Sequence, residues 1–323
     1  MDSHIKNSLE CWIPCKLVYE LDKVLVRWLY VNHQPFTDPF FDETILKCRK
    51  LQENLKQFKS VSEINILAEW AQVIDNVEPT AFIFHISRCG STLVSQLLGM
   101  HEENISLSEV PVFDEILRMP LKHQAVAKTV DDALIAAIKF YAQKRNGKEN
   151  RLFLKTDSWH LLFYQKLRTL YPKTPFIILY RNPAEVLFSQ QRQKGMHAVR
   201  GLIEPAIFGF DEDLLNKTHP DDYMSLILEK YSEVIIEIAG KDQNCLLTNY
   251  NEGISNIMQK IARFVGIEFN DSDTKIFSER SRYHAKKGSE IFVETYPSQP
   301  IASPNLGNLK NLYSQIEKLR LQV

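Results

Sequence analysis

The chain has 323 residues, 44% hydrophobic and 24% charged, with a formal net charge of −1 at pH 7. That length holds one large α/β domain or two smaller ones, and the near-neutral balance gives no basic footprint for a nucleic-acid partner. No stretch approaches the run of ~20 apolar residues that a membrane span needs, and five irregularly spaced cysteines argue against a disulfide framework and for a reducing, cytoplasmic setting.

Residues 1–77 read as a mainly helical N-terminal segment. Its start, Met1-Asp2-Ser3-His4, carries no charged-then-apolar leader. Cys11 and Cys15 lack a second Cys or His pair at zinc spacing, so they read as buried apolar thiols and no metal is expected. Trp12, Val18, Leu21, Val24, Trp28 and Leu29 are scattered through a mixed polar stretch, and an extended passage with Pro35, Pro39, Phe40 and Phe41 follows. The spacing of Cys48, Leu51, Leu55 and Phe58 predicts a helix over 42–58. That of Ile64, Leu67, Trp70, Ala71 and Ile74 predicts another over 61–74.

From Ala81 the pattern becomes strand, turn and helix in repetition. Ala81–Ile86 reads as an apolar strand and Thr92–Met100 as a helix. Asp131–Lys144 is helical by its Ala, Leu and Ile spacing; Leu152–Leu154 is a short strand before a helix over His160–Tyr171 that Pro172 ends. Phe176–Tyr180 is a buried strand, and Pro183 opens a helix as its first-turn proline. Tyr223–Ala239 reads as a long helix, Cys245–Leu247 as a strand, and Ile254–Val265 as a helix stopped by Gly266. Strands alternating with helices predict an α/β, three-layer domain over 78–323, its central parallel sheet flanked by helices.

The strand into Ser87-Arg88-Cys89-Gly90-Ser91-Thr92 and the helix after it form a site for an anion. A helix N-terminus offers unused backbone N–H groups and the positive end of its dipole. Gly90 allows close backbone approach, Ser91 and Thr92 add hydroxyls, and Arg88 adds fixed charge. The nucleoside-triphosphatase loop would have glycine where His85 stands and lysine where Ser91 stands. With the cation moved to Arg88, the loop suits a single 5'-phosphate better than a Mg²⁺-bound triphosphate.

A second anion site follows from Phe176–Tyr180, which delivers Arg181 to a strand end, where ligands sit in open α/β sheets. Ser189 lies two helical turns further on, and an Arg with a Ser so placed can hold a second phosphate.

At these two motifs the chain resembles the family of sulfotransferases that use 3'-phosphoadenosine-5'-phosphosulfate (PAPS). Members carry a loop of the type Pro-Lys/Arg-Ser-Gly-Thr-Thr for the 5'-phosphosulfate, like Ser87–Thr92, though Ser87 replaces the common proline and Cys89 the common serine. They also carry a strand ending in Arg and a Ser eight residues later, like Arg181 and Ser189, for the 3'-phosphate. Leu246–Tyr250 resembles the family's Tyr-centred segment, although Asn249 and Asn251 flank Tyr250 where acids are frequent. Lys286-Lys287-Gly288 resembles its basic loop over the nucleotide.

The resemblance covers roughly Ala81 to Gly288. It implies a P-loop-type fold and transfer of a sulfuryl group from PAPS to a hydroxyl or amine, with adenosine 3',5'-bisphosphate (PAP) released and no metal. It further implies Arg88 as the charge-stabilising group, Lys155 beside the bridging oxygen, and Glu109 as base, as in the tyrosylprotein sulfotransferases. Asp114, Glu115 and His160 are rival bases; Asp157 orients Lys155 or caps the next helix. His85 reads as a core histidine. The acceptor, whether small molecule, glycan or peptide, would be shaped by residues 1–77 and the Met196–Tyr223 region; neither it nor the oligomeric state is legible. A nucleotide-dependent kinase of the same ancestry and a non-catalytic nucleotide- or partner-binding protein are the competing classes.

Overall fold

The computed structural model describes residues 8–20, 23–56, 59–123, 129–286, 290–293 and 303–322. Five parallel strands form a central sheet flanked by helices, in the order β5 (Asn104–Ser108), β6 (Arg151–Lys155), β4 (Pro79–His85), β7 (Phe176–Tyr180) and β8 (Cys245–Asn249). The chain divides into two compact units, one of Met1–Thr80 with Ser95–Lys155 and one of Ala81–Val94 with Thr156–Val323.

In the first unit the N-terminal segment departs from the mainly helical expectation. Strands β1 (Trp12–Glu20), β2 (Lys23–Tyr30) and β3 (Val61–Glu63) form an antiparallel sheet in that order. The reason lies in a period of two that the polar residues between obscure: Val24, Val26 and Trp28 are buried while Lys23 and Arg27 are exposed. Pro14 sits on edge strand β1 beside a register shift, where its missing N–H does least harm.

The helices there are also shorter than predicted. α1 (Phe41–Cys48) ends early, and α2 (Ile66–Trp70) follows β3. Between them Asn54 is tied to β2, accepting from Tyr30 N at 2.9 Å and donating to Tyr30 O at 2.7 Å and Cys48 O at 2.8 Å. That side-chain competition with helical backbone bonding stops the helix.

This segment packs on α4 (Pro111–Lys122) and α5 (Val130–Tyr141), with Trp28 edge-on to Phe140 and Phe41 to Tyr141. Tyr141 donates its hydroxyl to Pro14 O at 2.8 Å and Gln143 donates to Trp12 O at 2.8 Å, so buried polar groups fasten β1 in place. Strands β5 (Asn104–Ser108) and β6 (Arg151–Lys155) pair in parallel within the same unit.

The second unit carries most of β4 (Pro79–His85), then β7 (Phe176–Tyr180) and β8 (Cys245–Asn249), all parallel. Helix α3 (Ser91–Leu98) opens after the loop that follows β4, and α6 (Tyr164–Leu170) precedes β7. α7 (Pro183–Arg192) starts as read, with Asn182 accepting from Ala184 N and Pro183 in the first turn. α8 (Glu212–Lys217) and the 19-residue α9 (Tyr223–Lys241) lead to β8. α10 (Ile254–Val265) ends at Gly266 in the left-handed conformation, φ 71°, followed by α11 (Asp271–Arg280) and α12 (Leu306–Gln322). Among the described residues, no helix is long and apolar enough to cross a membrane.

No disulfide forms among the cysteines. Burial pushes the thiol of Cys15 up to about 11, with Arg49 pulling the other way, and burial likewise raises Cys48 to about 11. Neither is a reactive thiolate at neutral pH.

Candidate active site

The loop after β4 is bent sharply. Ser87, Arg88 and Gly90 have φ of 73°, 53° and 80°, a left-handed region that only Gly occupies without strain. Such turns point successive backbone N–H groups into one concavity, the arrangement that binds oxyanions. Three side chains hold the bend. Cys89, fully buried, donates its thiol to Leu179 O on β7 at 3.3 Å. Gln190 of α7 donates to Ser87 Oγ at 3.1 Å and accepts from Gly195 N at 2.7 Å. His85 Nδ1 accepts from Ser87 N at 3.1 Å, so its proton sits on Nε2, which donates to Thr156 O at 2.9 Å.

His85 is therefore buried, as read, but it also organises the loop. Gln190 carried no signal in the sequence, because an internal helix glutamine matches no motif. A histidine directly before a phosphate loop is the one cue that could have been weighted more. Ser91 and Thr92 are buried at the start of α3.

Arg88 donates from Nη2 to Gln193 O, at the C-terminal end of α7. Arg181, just after β7, donates from Nε to Glu185 at 2.5 Å and from Nη1 to Arg88 O at 3.3 Å. The two motifs, about ninety residues apart in sequence, thus meet through hydrogen bonds from Arg181 to Arg88 O and from Cys89 to Leu179 O. The Arg181 guanidinium also lies 4.2 Å from the ring centroid of Tyr250, which follows β8. That ring rests on the loop: a Cβ added at Gly90 would lie 3.0 Å from it. Ser189 is on α7, partly exposed, its carbonyl accepting from Gln193 N at 3.1 Å. Lys286 is exposed, its N–H donating to His284 Nδ1 at 3.1 Å; Lys287 and Gly288 lie outside the described residues.

The first unit holds the other two candidates as a pair. Lys155 ends β6 with its side chain fully buried, and it donates from Nζ to Glu109, whose side chain is 22% exposed. Glu109 follows β5 in a left-handed conformation, φ 53°, and its N–H donates to Lys155 O at 2.8 Å. A carboxylate that neutralises a buried ammonium while keeping an open face can also take a proton from a ligand. The N-terminal segment walls this pair: the Phe40 ring centroid lies 5.8 Å from Lys155 Nζ, and Ser108 donates to Pro39 O at 2.8 Å.

The rival bases have structural partners. Asp114 is bonded to Arg118 at 2.6 Å, and Glu115 accepts from Leu17 N at 2.5 Å. Asp157 and His160 form a reciprocal cap at the start of the 3₁₀ turn Ser158–Phe163, with Asp157 N donating to His160 Nδ1 at 3.4 Å. In the Met196–Tyr223 region Phe208 is buried and stacks on Phe210 at 5.6 Å.

The second unit thus carries a strained phosphate loop beneath a stacked Arg–Tyr pair, and the first unit a buried lysine on a carboxylate. The family model for the sulfotransferase domain matches residues 78–306, more than half of the chain. The chain belongs to the sulfotransferase domain family.

Among solved structures, the chain is similar to sulfotransferase STF9 from Mycobacterium avium, at 11% identity over 86% of this chain and 83% of that one, TM-score 0.47. It is similar to the sulfotransferase domain of the Synechococcus PCC 7002 olefin synthase, at 16% identity over 77% and 95%, TM-score 0.44. A third is mouse sulfotransferase SULT7A1, solved complexed with PAP, at 13% identity over 81% and 74%, TM-score 0.35. None of the curated proteins searched matches the chain.

Proposed function

We propose that the enzyme takes its sulfuryl group from PAPS and transfers it by in-line displacement to a hydroxyl or amine of its acceptor. One observation carries this: Arg181 is bonded to the backbone of the phosphate loop at Arg88 and stacked on Tyr250, so two cationic anchors serve adjacent positions. A nucleotide with phosphates at both its 5' and 3' positions matches that pairing; a triphosphate chain does not.

In this reading the loop N–H groups, Ser91 and Thr92 bind the 5'-phosphosulfate, Arg88 offsets its charge, and Arg181 with Ser189 and Tyr250 receives the 3'-phosphate. Lys286 adds positive charge for the nucleotide. The acceptor oxygen attacks sulfur as the bond from sulfur to the 5'-phosphate oxygen breaks, its electron pair leaving with PAP. Glu109 takes the acceptor proton. Lys155 is the proposed partner of the bridging oxygen. Phe40 and Pro39, beside this pair, support a part for residues 1–77 in shaping the acceptor site.

Calorimetry with PAP and with MgATP tests the donor reading. PAP should bind and MgATP should bind at least ~100-fold more weakly; tighter binding of MgATP would favour the kinase class instead.

A further inference from the structure

Helix α12 begins where the family match ends, at residue 306, and the sequence motifs give it no role. One carboxylate on it, Glu317, reaches the ends of two sheet strands at once. Its Oε1 accepts from the hydroxyl of Tyr180, the last residue of β7, and from Nδ2 of Asn249, the last residue of β8, at 2.9 Å. Both donors are buried, at 1% and 2% exposure. The residues directly after them are Arg181 and Tyr250, the stacked pair of the nucleotide site.

Glu317 is itself fixed from the other side. Arg320 donates to it from Nη2 at 2.8 Å and from Nε at 3.1 Å, and also lies 3.3 Å from Glu252. Glu252 closes the circuit by accepting from Asn249 N at 2.8 Å and pairing with Lys260. Tyr313, one turn before Glu317 on α12, accepts from Asn249 Nδ2 at 2.7 Å. Two buried donors on different strands therefore share one acceptor group whose position is set by a bidentate arginine.

We propose that Glu317 is a positioning residue for the nucleotide site. By tying the C-terminal ends of β7 and β8 to α12, it sets the stack of Arg181 on Tyr250 and with it the recognition of the 3'-phosphate. This rests on the donor reading given above. Removing the carboxylate takes the acceptor from the buried Tyr180 hydroxyl and leaves Asn249 Nδ2 with Tyr313, and the strand ends shift to find partners. Arg181 then loses its register on the ring.

The test compares PAP with adenosine 5'-monophosphate (AMP), which lacks only the 3'-phosphate, by calorimetry on the full chain. In Glu317→Ala, affinity for PAP should fall about 10-fold or more while AMP binding changes little, so that the PAP-to-AMP ratio shrinks. Glu317→Gln and Tyr180→Phe, each leaving most of the packing intact, should shrink it about threefold and serve if the alanine variant does not fold. A purely structural role would lower thermal stability and leave the ratio at the parent value. Parent-like ratios in the variants that fold overturn the inference alone. A parent chain that binds no PAP overturns the donor reading, and this inference with it.

Discussion

Gly90 is the residue on which the phosphate loop turns. Its φ of 80° and the Tyr250 ring, 3.0 Å from where a Cβ would lie, make alanine unfavourable twice over. Gly90→Ala should lose about 1–3 kcal/mol of stability, measured by urea midpoint, and weaken PAP binding in the same variant. Glu109 carries a different kind of dependence. Glu109→Gln keeps an acceptor for the buried Lys155 ammonium but cannot take a proton, so turnover should drop about 10²–10⁴-fold with PAP affinity unchanged. Glu109→Ala should add a stability loss of about 3–5 kcal/mol by leaving that cation unpaired in a buried site. Turnover at the parent rate in the glutamine variant would place the base elsewhere. The loop and Arg181 were legible in the sequence because a strand, a Gly-Ser-Thr turn and a strand-end arginine are local patterns. Gln190 and Glu317 act through contacts 68 to 137 residues away in the chain, and His85 holds the loop while bonded to Thr156, 71 residues on, separations that local sequence pattern does not report.

At the scale of elements, α6 and the turn before β8 are joined by a half-buried ion pair. Arg168 donates from Nε to Asp242 at 2.9 Å and from Nη1 to Thr174 O at 2.7 Å, and it lies 3.6 Å over the Phe176 ring. Burial works against the charge on Asp242, yet hydrogen bonds from Tyr164, Asn244 N and Arg168 outweigh it and hold the carboxyl below its ordinary 3.8. Burial likewise opposes the charge on Glu317, and hydrogen bonds from Arg320, Tyr180 and Asn249 hold it below its ordinary 4.5. For a carboxyl depressed in the folded state, the stabilisation is complete above the unfolded value and disappears as pH falls through the folded one. Stability should therefore decline as pH drops below about 4, and Asp242→Asn should show a shallower decline from a lower plateau. An unchanged acid limb in that variant would assign the sensitivity to other groups. The strands β4 and β7 were legible as continuous apolar runs bounded by turns. The antiparallel N-terminal sheet was not, because its alternation is interrupted by Pro14 and by partly buried tyrosines, and helix-like spacings at 48–58 belong to a segment that Asn54 ties back to β2.

At the scale of the molecule, the nucleotide should act as a stabilising ligand for the unit that holds Arg88, Arg181 and Tyr250. At 100 times its dissociation constant, PAP should add about 2.7 kcal/mol, which for a domain of this size raises Tm by about 5–10 °C. Hydrogen exchange should slow at 85–92, 181–190 and 249–252 on binding, and uniform protection across the chain would argue against a site there. Family membership and sheet order follow from features spread along residues 78–306. The acceptor does not, since acceptor pockets are built from segments that vary with substrate on a common fold.

The central claim is that the site is built for a nucleotide with a 3'-phosphate, and calorimetry of PAP against AMP in the parent and in Arg181→Ala measures that directly. PAP should bind the parent at least ~100-fold more tightly than AMP, and Arg181→Ala should remove most of that difference. Equal affinity for the two nucleotides in the parent, or a preference for PAP that survives the loss of Arg181, would contradict it.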